Sequence, residues 1–287
     1  MKKIALFVAA VFSAPVLAWT NGNIANDVDF AGTITPEQYS QLWRWKVGTN
    51  LNDFRHNITD MDQELKKLTI TVDSPKGLLY GETVKAIRAS AGMGAIPNIT
   101  LSDFEKKPVT LVQGPSDLEG KGHITLAIKD ENNSKIGSLK VDITAVGIAT
   151  GPRKGNTSKT TVTSVGAQNN NHALYGGLFK KGISDGYYKA NPMIDKFGAK
   201  NMHKLASDVR QHPLLNNVPF KGWAYNTWTV PVNFLEGGED TSFSYGIAAV
   251  SYVLGIDKGQ KLEATFDTPL TATTRWSAPL NVAVTYN

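Results

Sequence analysis

Side chains able to do covalent chemistry are few in this chain of 287 residues, which has no cysteine. Its five histidines are His56, His123, His172, His203 and His212. None makes an H-x3-H pair or an H-E-x-x-H run, the spacings that turn two imidazoles toward one zinc ion. No G-x-S-x-G elbow and no phosphate-cradling glycine loop is present. Acidic neighbours such as Glu239 and Asp240 adjoin along the chain, but adjacency is not a catalytic dyad, and a surface turn accounts for them. The chain is therefore expected not to be an enzyme and to need no cofactor or metal.

Another chemistry suits its composition better. Recognition of a sugar needs a flat apolar face for the pyranose C–H surface and a few fixed polar groups for the hydroxyls. The stretch GAQNNNHALYGG (166–177) offers Asn169, Asn171, His172 and Tyr175, and Phe179, Lys180, Tyr187 and Tyr188 follow. Farther on, WAYNTW (223–228) sets Trp223, Tyr225 and Trp228 within six positions. The candidate glycan contacts are Asn169, Asn171, His172, Tyr175 and Lys180. The plainer readings are a solvated loop at 168–171 and scaffold-anchoring roles for Trp223 and Trp228.

The elements that must hold these residues are mostly strands. KLTITV (67–72), VTLVQG (109–114), HITLAIKD (123–130) and KIGSLKVDITAVGIA (135–149) alternate or carry β-branched residues. So do FSYGIAAVSYVLGI (243–256), KLEATFD (261–267) and LNVAVTY (280–286). Turn residues at 130–133 and 257–259 separate them without intervening helices, which predicts an antiparallel sandwich. From Gly151 to about Glu239 the composition shifts to Gly, Asn, Lys and aromatics. There NPMIDKFGAKNMHKLASDVRQHP (191–213) has helical periodicity: Asn191 can cap, Pro192 suits a first turn and Pro213 closes the segment. Met193, Phe197, Leu205 and Val209 form an apolar stripe broken at Asn201, with Ile194 and Met202 alongside, and this reads as core. A weaker helix is considered at 36–45, although Trp43 and Trp45 would also suit a strand.

Residues 1–18 read as a secretory signal peptide: Lys2 and Lys3, an apolar stretch to Leu17, then Ala18. The apolar stretch is short for a membrane span. Removing Lys2 and Lys3 leaves 28 basic against 25 acidic residues, a mild and dispersed excess that, with export, argues against nucleic-acid binding. An exported chain without disulfides must be held by core burial or by neighbours.

Both termini look like strands. In NIANDVDFAGTIT (23–35), Ile24, Asn26, Val28, Phe30, Gly32 and Ile34 share one parity, so the segment is half-buried by period. At the other end Leu280, Val282, Val284 and Tyr286 share a face. An apolar terminal strand with nothing beside it is an aggregation hazard. Either 23–35 is an ordinary first strand of the chain's own sheet, or it is lent to another molecule, as in strand addition between pilins. Burying Ile24, Val28, Phe30 and Ile34 would be worth roughly 6–12 kcal/mol.

The stretches WKVGTNLNDF (45–54), KLTITV (67–72), YGGL (175–178), YVLGI (252–256) and above all LEATFDTPLTATTRWSAPLNVAVTY (262–286) resemble the FaeG-type fimbrial subunits. These are large adhesive major pilins of the chaperone–usher pathway. The resemblance implies an all-β fold: an incomplete immunoglobulin-like antiparallel β-sandwich with an inserted loop- and helix-containing subdomain. The expected organisation is a signal peptide at 1–18, a donor strand at 19–35, a pilin core at 36–150 and 240–287, and an inserted receptor-binding unit at 151–239.

On that resemblance the donor residues are Ile24, Val28, Phe30, Gly32 and Ile34. Leu280, Val282, Val284 and Tyr286 pair with a periplasmic chaperone, whose basic residues hold the Asn287 carboxylate. An outer-membrane usher, neighbouring subunits in a homopolymer and a host glycoconjugate complete the partners, and the cell-surface fimbrium is the destination. Many pilins have a disulfide and a glycine near position 274; this chain has no cysteine and carries Thr274, which sets it with the FaeG-like branch. Near YGGL the family presents an arginine where this chain has Asn171. The alternatives are a non-adhesive minor or structural subunit and a stand-alone secreted lectin.

Overall fold

The computed structural model describes residues 20–21, 23–27, 31–35, 42–49, 51, 54–62, 64–88, 96–115, 119–231 and 243–286, with backbone alone before residue 36 and at 226–231. The N-terminal region supplies β1 (Thr20–Asn21), β2 (Asn23–Asp27) and β3 (Ala31–Thr35). Then come β4 (Trp43–Val47), β5 (Lys67–Thr71), β6 (Lys76–Thr83), β7 (Ile87–Arg88), β8 (Pro97–Ser102), β9 (Pro108–Val109) and β10 (Val112–Gln113). A meander follows: β11 (Lys121–Lys129), β12 (Lys135–Arg153) and β13 (Asn156–Gly166). Two helices, α1 (Asn191–Lys196) and α2 (Met202–Arg210), precede β14 (Trp223–Pro231). The chain closes with β15 (Ile247–Ile256), β16 (Lys261–Phe266) and β17 (Asn281–Tyr286).

These strands form two sheets. The larger runs β1-β4-β6-β15-β12-β11-β10, and the smaller runs β3-β2-β17-β8-β9. Among the described strands the pairings are antiparallel except β13 with β14, which is parallel, and a single parallel bridge joins Asn98 of β8 to Tyr175. The 19-residue β12 is the spine. Its first half pairs with β11 and β16, its second half with β15 and β13. The expected boundary at Gly151 therefore falls inside one continuous strand.

Burial along β12 explains why its sequence stops alternating. Ile143, Ala145 and Ala149 face the core between the two sheets, together with Trp43, Trp45, Leu126, Tyr252 and Val282. Val146 and Ile148 face a second core with Ile194, Phe197, Met202, Leu205 and Val209 from the helical segment. A strand covered on both faces reads as a solid apolar run.

The helical segment is two helices, not one. Gly198 has φ +72°, beyond what an uninterrupted helix allows. Asn201, which breaks the apolar stripe, is the N-cap of α2, accepting the Lys204 N–H at 3.2 Å. Asn191 does not cap its own helix; its side chain accepts the Met202 N–H at 2.8 Å. Residues 43–47 are a strand, and 36–41 lie outside the described residues.

A buried ionic chain joins helix to sandwich. Glu82 on β6 is 2% exposed and takes both Arg44 of β4 and Lys200, the latter at 3.8 Å. Lys200 in turn pairs with Asp208 on α2. Removing the central carboxylate takes from Arg44 and Lys200 the buried anion they share, Lys200 keeping Asp208. Glu82→Ala is expected to destabilise the chain by about 3 kcal/mol, the low end for a broken buried pair because Arg44 keeps solvent on one side. Urea denaturation checks it, and a change under about 1 kcal/mol would contradict it.

Candidate functional site

The C-terminal strand lies deep. Leu280, Val282 and Val284 are buried to 3% exposure or less in the chain's own core. Their side chains are thus occupied inside the molecule, and what a partner strand could meet at β17 is its backbone. Burial pushes the Tyr286 hydroxyl up to about 12, and that hydroxyl accepts the indole N–H of Trp45 at 2.7 Å. Tyr286 is thereby tied across the core to β4 of the opposite sheet.

The N-terminal strands touch both sheets in turn. Thr20 and Asn21 pair with Trp45 and Arg44 of β4, and Ala25, Asn26 and Asp27 pair with Ala283, Val282 and Asn281 of β17. The segment expected as one strand, 23–35, has its two described parts paired with each other, Ile24 opposite Ile34 and Asn26 opposite Gly32. Val28 and Phe30 lie outside the described residues, and the backbone alone is described for Ile24, Gly32 and Ile34.

β2 runs antiparallel to β17, so continuing it straight past Asp27 leads toward Leu280 and the residues before it. Leu280 stands on the wall of a cleft of about 1070 Å³ lined on one part by Leu68, Ile124, Leu126, Phe266 and Trp276 and on another by polar residues such as Arg55, His56, Asn57 and Arg275. Residues 28–34, fully extended, would reach about 23 Å in that direction.

The amide-rich loop divides into an outward and an inward part. Asn169 and Asn171 are exposed, and His172 is half-buried. The Asn171 N–H donates to the Asn169 side chain at 3.0 Å and the Gln168 N–H donates to His172 Nδ1 at 3.1 Å, so the loop is closed by its own polar groups. Tyr175 is 41% exposed and Lys180 is exposed. Between them, Ala173, Leu174, Leu178 and Phe179 are buried in the sandwich core. The loop backbone pairs with β8: Leu174 N–H donates to Pro97 O at 2.7 Å, and Ile99 N–H to Tyr175 O at 2.8 Å. The stretch expected to open a separate unit is thus part of the sandwich's own wall.

The remaining candidates gather elsewhere. Tyr187, Tyr188, Tyr225 and Trp223 form one aromatic group, with Tyr187 centred 4.6 Å from Tyr225 and 6.2 Å from Trp223. Sequence reasoning noted these rings individually. The parallel register of β13 with β14, which sets Tyr225 opposite Val162, brings them together. The side chain of Trp228 lies outside the described residues. Among the described residues no group of His, Asp and Glu is placed to hold a metal ion, and no helix is long and apolar enough to cross a membrane.

A family model described as "Fimbrial, major and minor subunit", for the K88 fimbrial proteins, matches residues 1–287. The chain is 34% identical over 295 residues to K88 fimbrial protein AD of Escherichia coli, and 33% identical over 299 residues to K88 fimbrial protein AC. It is 23% identical over 299 residues to the F41 fimbrial protein of the same organism. In each case the match covers the whole of both chains.

The loop's attachment rests on one backbone position. Gly176 has φ +82°, and a Cβ there would meet the Ile99 carbonyl at 2.0 Å. Gly176→Ala is expected to lift the loop from β8 and lose about 2–3 kcal/mol in urea denaturation. Faster hydrogen exchange at the Ile99 amide should accompany it. His172→Ala, at the loop's outer side, should stay within about 0.5 kcal/mol of the parent.

Proposed function

The chain belongs to the K88 family of fimbrial major and minor subunits, and on that premise we propose that it builds a surface fibre by strand exchange and attaches that fibre to host glycans. The subunit is exported through the periplasm. A chaperone there covers the open edge of the sandwich, and an outer-membrane usher passes the subunit to its neighbour. In the fibre, residues 23–35 of one subunit extend along β17 of the next.

The observation that carries this reading is the direction of β2. Its register on β17 points an extended continuation into the cleft beside Leu280. Val28, Phe30 and Ile34 of an incoming straight strand would meet the apolar surface there, each burial being worth about 1.5–3 kcal/mol. The C-terminal strand contributes backbone donors and acceptors to that pairing, and its apolar side chains hold the core beneath.

Adhesion is the second half of the proposal. The outward loop with Asn169, Asn171, His172, Tyr175 and Lys180 offers amides, an imidazole and a phenol to solvent. Asn171 stands where the resemblance leads one to expect an arginine, so the sugar preferred here would differ from that of relatives carrying the cation. A glycan array probed with assembled fibres tests this half. Failure to bind any glycan would leave a purely structural subunit.

The absence of native cysteine makes the exchange directly testable. Ala25 and Ala283 are facing positions, within the span a disulfide bridges. Cells co-producing an Ala25→Cys subunit and an Ala283→Cys subunit can form only inter-subunit bridges between these sites. The expected result is oxidised dimers in fibres, reversed by reductant. The double variant in one chain should give a ladder of covalent multimers. Cross-linking confined to single chains, or fibres that persist after deletion of residues 19–34, would overturn strand exchange.

A further inference from the structure

The aromatic group on the helical side has features that core packing does not require. Tyr188 is 64% exposed and Tyr225 is 57% exposed, with rings stacked at 28° and centroids 5.6 Å apart. Tyr187 meets both edge-on, 4.8 Å from Tyr188 and 4.6 Å from Tyr225. Its phenol pKa is raised by burial first and then by the neighbouring Tyr225 phenol. Trp223 supports Tyr187 from behind and is itself held by His203 at 5.4 Å and Phe220 at 5.7 Å.

The backbone goes to some trouble to present these rings. Asp185 takes a φ of +60°, an uncommon conformation for a residue with a side chain. Its carboxylate accepts the N–H groups of both Tyr187 (3.1 Å) and Tyr188 (2.8 Å). The following turn, Gly186–Ala190, is a single π-helical turn, a rare form that recurs at functional sites. Gly186 lies against β13 so closely that a Cβ would sit 2.5 Å from the Thr163 backbone. A left-handed residue, a π turn and an obligatory glycine together fix two adjacent tyrosines at the surface. Strain of this kind persists where the surroundings impose it and concentrates at binding sites.

We propose that Tyr188 and Tyr225, braced by Tyr187, form a stacking platform for one uncharged hexopyranose ring of a glycan. This rests on the adhesive reading and gives it a second contact point, separate from the loop at 166–180. The choice of a sugar follows from the shape and chemistry of the surface. A protein partner would need about 800 Å² per side with an apolar centre. The chain segments bearing these rings expose Lys189 and Lys221 beside them, Phe220 adds a further exposed ring against Trp223 and Leu214 is exposed a few residues before it, and the exposed aliphatics Ile58, Val84 and Val112 belong to other segments. Two phenol faces with hydroxyls at the rim match a pyranose, which is apolar across its C–H face and polar around its edge.

Saturation-transfer NMR on assembled fibres, with methyl β-galactopyranoside and methyl β-glucopyranoside as probes and sialic acid as a charged control, tests the platform. The expected result is saturation concentrated on the C–H protons of one ring face of a neutral probe, with Trp223 emission shifting on titration. Tyr188→Ala and Tyr225→Ala should each weaken that binding by about tenfold, and Tyr188→Trp should retain it. Fibre yield should be unchanged, because both rings are mostly exposed. Wild-type fibres that bind array glycans yet lose nothing in either alanine variant would overturn the platform and leave adhesion standing. Fibres that bind no glycan at all would overturn both.

Discussion

Two aromatic side chains with polar ends, Trp45 and Tyr252, are the point on which the rest of the molecule turns. Both are fully buried, edge to face with centroids 6.3 Å apart. Burying an indole N–H or a phenol requires a partner for it, and each finds one far away in sequence. Trp45 donates to the hydroxyl of Tyr286 at the end of the chain. Tyr252 donates to the carbonyl of Gly177 at 2.7 Å, and burial raises its pKa so far that it remains a donor throughout the physiological range. The first long strand, the last strand and the YGGL loop are thereby fixed to one another through the core. Glycines make the space: a Cβ on Gly81 would stand 2.3 Å from the Trp45 ring, and one on Gly177 would stand 2.6 Å from the Tyr252 hydroxyl.

That arrangement decides which surfaces are free for partners. With Leu280, Val282 and Val284 facing inward, the terminal strand cannot offer those side chains to a partner without opening its own interior. Recognition there has to pass through the backbone ladder, which is indifferent to side-chain identity and so suits exchange of one strand for another. The loop is likewise half committed. Leu174, Leu178 and Phe179 hold it down, and only the residues between the anchors can vary without loosening the sandwich. A binding surface built on such a pinned loop is rigid, which limits the ordering entropy lost when a ligand binds.

Much of this was legible in the chain because period-two and period-3.6 patterns report which face is covered. The alternation at 280–286 reads directly as one buried face. The largely apolar run of β15, interrupted at Ser251, matches a strand covered on both sides. Asn201 shows how a local signal can be misassigned: it read as a gap in a stripe, and it is the cap of a second helix. ALYGGLF could not be read as core wall, since no period marks it. Its burial is imposed by Pro97, Ile99 and Tyr252, residues remote in sequence. The tyrosine group is invisible for the same reason. Tyr187 and Tyr225 meet because β14 lies parallel to β13 and the turn at Gly186–Ala190 packs on β13, pairings between segments remote in sequence.

The N-terminal segment exposes the balance on which assembly depends. Its parity reads as one long strand, yet within a single chain 31–35 folds back on 23–27 while 25–27 hold β17. Both arrangements use the same register on the terminal strand, so they compete for one edge. The folded-back form gives β2 a second ladder, with Ile34 opposite Ile24. The proposed extended form gives up that ladder, and taking Val28, Phe30 and Ile34 out of water would be worth roughly 5–9 kcal/mol. Backbone hydrogen bonds lost to water in the exchange are worth only about 0.5–1.5 kcal/mol each, so a few of them do not outweigh three apolar side chains. In the proposed exchange the incoming strand must therefore displace the acceptor's own β2 from β17, and its apolar burial is what offsets the ladder lost there.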